Sequence, residues 1–249
     1  GFYTDDTSLA LCLAASLVEN EFSLEDQFQR YRKWMREGYQ SATGFSYGIG
    51  QQTHKTLNEP LALEKLDCSE ERAGGNGTLM RCAPIGLYFR GDLNVIKETS
   101  IMASYITHNN LIAAWTCVVL NSTISLILDG KDKFTIMNQL VELCSQDAPQ
   151  EIQNCLTVDY RSFSDNYILS ISGYSLDTLQ IALWSWLTTD NYADSIKKVV
   201  RLGNDADTFA AVTGAITGCY YGHTGIPVAW REKILRKEEI IKLATMLLR

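Results

Sequence analysis

Thr4-Asp5-Asp6-Thr7-Ser8-Leu9-Ala10-Leu11-Cys12-Leu13-Ala14-Ala15-Ser16-Leu17-Val18 opens on two adjacent carboxylates and runs on as almost unbroken apolar sequence. From Thr7 to Val18 nearly every face is apolar, so the stretch reads as a buried helix rather than as a half-wet strand. Helical spacing continues outward from it. Ser23 is placed as an N-cap; after it Leu24, Phe28, Tyr31 and Met35 recur at helical intervals. Arg30, Arg32, Lys33 and Arg36 fall on the opposite, solvated face, and Gly38 is placed to end the helix. Residues 41–60 carry Gly44, Gly48, Gly50 and Pro60 and predict loops with one short helix.

Further along, Leu79–Phe89 is apolar but holds Pro84, which predicts a kink or a break. Asp92 can cap a helix through Ile106, and Leu111–Leu128 and Phe134–Cys144 read as two more. Asp177 or Thr178 can start Leu179–Leu187, and Asp190 can start Tyr192–Val200. Thr208–Tyr221 is small and apolar, which predicts a central helix that neighbours approach closely; 237–249 forms an amphipathic last helix. No alternating run marks a strand set, and no repeat or linker interrupts the pattern, so one compact all-α domain over 1–249 is expected.

Composition narrows the function. With 249 residues, 46% hydrophobic and 20% charged, the chain can bury a sizeable core without staples. A formal net charge of −7 argues against broad capture of nucleic acid. The 7 cysteines form no Cys-x-x-Cys pair and sit mostly among apolar neighbours, as expected of reduced buried thiols in a cytoplasmic protein. His54, His108 and His223 lack the cysteine partners a zinc site would need. The apolar runs around Ile112–Leu128 and Ala210–Tyr221 contain polar residues and read as too short for a membrane span. A monomer, with no membrane or nucleic-acid partner, is the expectation.

Chemistry concentrates in three short segments. Thr4-Asp5-Asp6-Thr7 and Gly203-Asn204-Asp205-Ala206-Asp207-Thr208 each place two carboxylates and a hydroxyl just before an apolar helix. Capping needs one such residue. Two, entering a core helix, are costly unless a cation pairs them. Carboxylate and hydroxyl oxygens suit Mg²⁺, Mn²⁺ or Ca²⁺ rather than zinc or copper. An EF-hand fails: counting Asp205 as the first loop position, the twelfth is Ile216, where glutamate is required. Four aspartates can hold two ions, which points to two-metal hydrolysis. The third segment, Gly74-Gly75-Asn76-Gly77-Thr78-Leu79-Met80-Arg81, is a glycine-rich loop whose backbone N–H groups can cradle phosphate. It is neither a Walker loop nor a Rossmann fingerprint. Thr107-His108-Asn109-Asn110 reads as a helix junction, and Tyr3, Tyr47, Tyr174, Trp184 and Trp186 as pocket or core aromatics.

Together these segments resemble the ADP-ribosylglycohydrolases. Thr4–Thr7, Gly75–Arg81, Thr107-His108 and Gly203–Thr208 occur in that family's order, and Gly173-Tyr174 through Ala182-Leu183-Trp184 and Gly225-Ile226-Pro227 with Trp230 are similar too. The resemblance implies an orthogonal multi-helix bundle around two Mg²⁺ or Mn²⁺ ions. It implies Thr4, Asp5, Asp6, Asp205, Asp207 and Thr208 as metal ligands, with Asp5 or Asp6 moving the proton. It implies that Asn76, Gly77, Thr78, Leu79, Met80, His108 and Tyr174 contact ADP-ribose. The expected reaction is hydrolysis of the bond between ADP-ribose and an arginine or serine side chain, on an ADP-ribosylated protein or a small ADP-ribose compound. The alternative is a relative that binds ADP-ribose without turnover or has a structural role. Two departures are expected to matter. The family's N-terminal helix, with a further acidic ligand, is absent before Thr4, and Ser46-Tyr47-Gly48-Ile49-Gly50 has Gly48 where many members carry an aspartate.

Overall fold

The computed structural model describes residues 1–61, 74–163 and 172–248. Along the chain run α1 (Asp5–Asn20), α2 (Leu24–Glu37), α3 (Gln51–Asn58), α4 (Pro84–Tyr88), α5 (Leu93–Tyr105), α6 (Leu111–Leu128) and α7 (Lys133–Cys144). They are followed by α8 (Gln150–Thr157), α9 (Ser175–Leu187), α10 (Tyr192–Val200), α11 (Ala206–Gly225), α12 (Val228–Arg231) and α13 (Lys237–Leu247). Among the described residues the sole β pairing is an isolated bridge between Gly75 and Tyr174, so the chain is all-α.

Local chemistry explains most boundaries. Ser23 accepts from the Asp26 amide to start α2, and Gly38, at φ 70°, ends it by donating to Trp34 O. Asp92 caps α5 as expected. Pro84 sits in the first turn of α4, breaking the 79–89 run into a 3-10 turn at Leu79–Arg81 and a short helix.

Three expectations need correction. The start of α9 lies at Ser175 rather than at Asp177 or Thr178, because the extended Tyr174 precedes it and the Gly75–Tyr174 pairing fixes where the helix can begin. For α10 the capping group is Asn191, accepting from the Asp194 amide, rather than Asp190. The central helix is α6, in which Ala113 through Ile127 are all buried. In α11 one face is buried (Thr208, Phe209, Val212, Thr213, Ile216, Thr217), while its small residues provide close approach for the Tyr192 ring at Gly214 and Gly218. The helix α8 had no counterpart in the sequence reading.

Because α6 has 18 residues, it is long and apolar enough to cross a membrane, contrary to the expectation that the run is too short; 83% of it is buried inside the bundle. One cluster of buried side chains surrounds α6 and draws in α7, α8, α9 and α11. A second joins α1, α2, α4 and α13, and Met80 and Leu87 touch both. Six cysteines are described, all free thiols and all but Cys219 buried; Cys68 lies outside the described residues.

Where α4 crosses α6 the backbones nearly touch. Gly86 N donates to Asn121 Oδ1 at 3.2 Å, and the Asn121 amide group donates to Ser100 Oγ at 2.8 Å. A Cβ on Gly86 would stand 2.6 Å from Asn121 O. Gly86→Ala should therefore destabilise the protein by about 1–3 kcal/mol through overpacking. Urea denaturation reads this directly, and an unchanged midpoint would contradict so close a crossing.

Candidate active site at two helix N-termini

The carboxylates at the starts of α1 and α11 do not cap their helices. Thr4, the residue before α1, donates its hydroxyl to Asp6 Oδ2 at 2.6 Å and makes no cap bond. Asp205, before α11, likewise makes none; its Oδ2 accepts from Asn76 Nδ2 at 2.7 Å. Elsewhere Ser23, Asp92, Asn110 and Asp132 do use their side chains as caps. Capping thus accounts for those side chains, as it does for Asn191 at α10, but not for Thr4 or Asp205. Gly203 (φ 70°) and Asn204 (φ 54°) make the left-handed turn that swings Asp205 and Asp207 into place, a conformation these two residue types tolerate.

Electrostatics makes the arrangement expensive. Asp5 and Asp6 are 7% and 2% exposed. Burial, then the neighbouring Asp6, and then Asp207 and Asp205 push the Asp5 carboxyl up to about 7. Burial also pushes Asp6 up to about 6, against the opposing bond from Thr4 and with a further push from Asp207. Asp6 Oδ1 is buried and has no hydrogen-bond partner among the described residues. Among the described residues no three His, Cys, Asp or Glu side chains converge tightly enough to make a ligand shell by themselves. The donor set still fits hard divalent cations. An orphaned, buried carboxylate oxygen lies among four aspartates and two threonine hydroxyls, and all of these are oxygen donors.

Both helix starts open on one cleft of about 300 Å³. Asp5, Asp205, Asp207 and Thr208 line it from the helix starts, and Gly75, Asn76, Gly77, Met80 and His108 from the glycine loop and the segment after α5. Larger concavities exist, such as one of about 500 Å³ beside Phe134 and Tyr160, but without such a convergence of carboxylates. Asn76 ties the loop to the start of α11, its side chain donating to Asp205 and to Thr178 Oγ1 at 3.0 Å, while its backbone N–H donates to Gly173 O.

The remaining candidates fall elsewhere. Asp6 and Thr4 lie behind the cleft wall rather than on it. Thr78 and Leu79, expected to touch the ligand, are buried away from the cleft: the Thr78 hydroxyl accepts from Ser104 Oγ at 3.1 Å, and Leu79 packs in the α6 core. The three-residue 3-10 segment Leu79–Arg81, with Thr78 just before it, faces them inward and leaves Met80 outward. Tyr174 does not line the cleft either; its ring lies against Gly74, where a Cβ would come within 2.5 Å. Trp184 and Trp186 are core residues. Tyr47 O–H donates to Tyr3 O, tying the 41–50 loop to the start of α1.

Gly48 takes φ +80°, and its α-carbon faces Asp5 so closely that a Cβ would stand 2.5 Å from Oδ1. Residues the sequence reading passed over also line the cleft: Gly50, Gln51, Gln52 and Thr53, from the start of α3. Their only sequence signal was a glycine ahead of a short polar helix. Arg81, at the end of the glycine loop, is 2% exposed, and its sequence signal is a cation amid Leu79, Met80 and Cys82.

An all-α bundle that brings two carboxylate-bearing helix starts and a glycine loop to one cleft defines a class of ligand-processing helical proteins. The chain belongs to the ADP-ribosylglycohydrolase family, whose model matches residues 1–249. It is 34% identical over 248 residues to the ADP-ribosylarginine hydrolase Tri1 of Pseudomonas putida, covering 98% of this chain and 65% of that one. It is 27% identical to the ADP-ribosyl-[dinitrogen reductase] glycohydrolase of Rhodospirillum rubrum, covering 96% of this chain and 76% of the relative. The chain thus spans about two thirds of the length of the Tri1 relative. A solved ADP-ribosylglycohydrolase-related protein complex superposes with a TM-score of 0.84 at 31% identity, covering 100% of this chain and 82% of the other.

Gly48→Ala should lower folding stability by about 1–2 kcal/mol, the usual penalty for a β-carbon at left-handed φ, and should displace the Asp5 carboxylate. Thermal unfolding and a crystal structure of the variant check both; wild-type stability with Asp5 unmoved would contradict the contact.

Proposed function

We propose that this protein hydrolyses the glycosidic bond between ADP-ribose and a protein side chain, and that it does so with two Mg²⁺ or Mn²⁺ ions. The observation that carries the reading is the pair of helix starts whose carboxylates, unused as caps, meet beside a glycine loop. Family membership supports it, and so do the names of relatives, among which arginine-linked ADP-ribose recurs. An ADP-ribosylated arginine is therefore the first substrate to try, with the serine linkage second.

Thr4, Asp5, Asp6, Asp205, Asp207 and Thr208 are the residues that would hold the ions. Bound there, the ions would supply Lewis acidity at the ribose hydroxyls and a more acidic water. The chain's own groups do the rest. Asp5 faces the cleft, whereas Asp6 has one oxygen occupied by Thr4, so Asp5 is the better placed of the two to take a proton. Asn76 orients Asp205 from the loop side. The loop glycines allow the ligand close to the backbone. Leaving-group protonation at the side-chain nitrogen completes the reaction, with one water consumed.

The test is release of free ADP-ribose from ADP-ribosyl-arginine and ADP-ribosyl-serine peptides in Mg²⁺, with and without a chelator. Release is expected and should stop on chelation; Mg²⁺ or Mn²⁺ should also raise the melting temperature. Asp5→Asn and Asp205→Asn should each lower turnover by about 10²-fold or more with helical content retained. Full turnover in both variants would be incompatible with this site. Tight ADP-ribose binding without release from either peptide would favour the non-catalytic binder, for which Gly48 in place of the expected aspartate is the supporting feature.

A further inference from the structure

Behind the glycine loop lies a buried polar chain that the reaction just described does not use. Arg81 is a guanidinium with no carboxylate partner among the described residues. Its NH1 donates to Gly77 O at 3.0 Å, its NH2 to Thr107 Oγ1 at 2.6 Å, and its plane lies 4.5 Å over the Tyr31 ring. Thr107 Oγ1 in turn lies 2.9 Å from His108 Nδ1. All three residues are at most 3% exposed.

Proton accounting fixes the direction of these bonds. A guanidinium can only donate, so Thr107 Oγ1 accepts from Arg81. The hydroxyl has one proton to give, and among the described residues His108 Nδ1 is the only acceptor it has. Were Nδ1 protonated instead, Thr107 would accept twice and its own buried proton would have no acceptor, a costly state. Nδ1 is therefore the acceptor, and the ring proton sits on Nε2. Burial, reinforced by the Arg81 charge, pushes the imidazole pKa down to about 3, so the ring stays neutral at ordinary pH. Nε2 has no protein partner among the described residues, and His108 lines the cleft beside Gly75 and Gly77. A Cβ on Gly77 would stand 2.9 Å from the imidazole Cε1 and 3.1 Å from Nε2, so this glycine is required for the ring to lie where it does.

We infer that Arg81 and Thr107 are positioning residues: they hold His108 as its Nε2–H tautomer and present that N–H, beside the Gly77 backbone, as a fixed donor to a phosphate oxygen of the ligand. This rests on the ADP-ribose reading above, and it deepens that reading by dividing the cleft. The carboxylates attract cations and ribose hydroxyls; the stretch of lining at His108 and Gly77, with a donor N–H and behind it a guanidinium that has no carboxylate partner among the described residues, suits the diphosphate. A neutral histidine donates without changing charge, so this contact holds at constant strength across neutral pH. The same arginine fixes the loop through Gly77 O, so loop and donor move as one unit.

Nitrogen-15 spectra of histidine-labelled protein test it, since only His54, His108 and His223 contribute. Without ligand, His108 should show the neutral Nε2–H pattern throughout pH 5 to 8, the range in which an ordinary histidine titrates. Thr107→Val should mix the tautomers and weaken ADP-ribose binding by about tenfold, and Thr107→Ser, which keeps the hydroxyl, should restore both. ADP-ribose should shift the His108 Nε2 resonance in the wild type, and inorganic pyrophosphate should compete. An Nδ1–H pattern in the wild type would overturn the assignment even if Thr107→Val failed to fold. So would an unchanged tautomer in Thr107→Val, or a failed rescue by Thr107→Ser. A correct tautomer in a protein that binds no ADP-ribose would instead overturn the proposed function and leave the Arg81–Thr107–His108 chain standing.

Discussion

Like charges in a dry place are the constraint around which this molecule is arranged. Asp5 and Asp6 enter a helix that is buried along most of its length, and Asp205 and Asp207 face them from another. Each helix start offers its own dipole to a carboxylate, but a half charge per helix does not offset two aspartates apiece. What keeps them together is packing elsewhere. The cluster around α6 anchors α11, the cluster around α1 anchors the first motif, and Met80 and Leu87 couple the two. The apolar cores thus hold a polar arrangement that would fly apart as free peptides, as is common where stability is traded for function.

The cleft is polarised across its width. Three carboxylates, Asp5, Asp205 and Asp207, line it at the helix starts with Asp6 behind them, while the rest of the lining carries a glycine loop, a neutral imidazole and, beneath them, a guanidinium with no carboxylate partner among the described residues. Such a cleft distinguishes the hydroxyl-bearing part of a ligand from its negatively charged part. Asn76 spans the divide: its amide donates to Asp205 and its backbone pairs with Gly173, so the position of the loop and that of a carboxylate are coupled. Specificity of this kind comes from groups that are rigid before the ligand arrives.

Gly48 shows how one position can be read in two ways. By resemblance it is a missing aspartate. In the fold it is the place where the backbone passes under Asp5, with no room for a Cβ and a φ that disfavours one. An aspartate there would require both the loop and Asp5 to sit differently, so the change is one of local architecture rather than the loss of a single carboxylate.

The sequence by itself determined most of the helices and the acidic residues that meet in the cleft. Periodicity, Ser23, Gly38, Asp92 and Pro84 marked most of the boundaries because capping and backbone restriction act within a few residues. Paired aspartates before apolar runs marked the acidic side of the site, since charge entering a core demands a reason. Only the tertiary structure decided which loop residues face the cleft. Thr78 and Leu79 turn inward while Met80 turns outward, a matter of a 3-10 turn seated on α6. Tyr174 is taken up by Gly74, and Gln51–Thr53 arrive from a segment with no motif at all. Nor could spacing show that Arg81 reaches Thr107, 26 residues away. Side-chain direction and long-range hydrogen bonds depend on how helices cross, and no local pattern in the chain encodes a crossing.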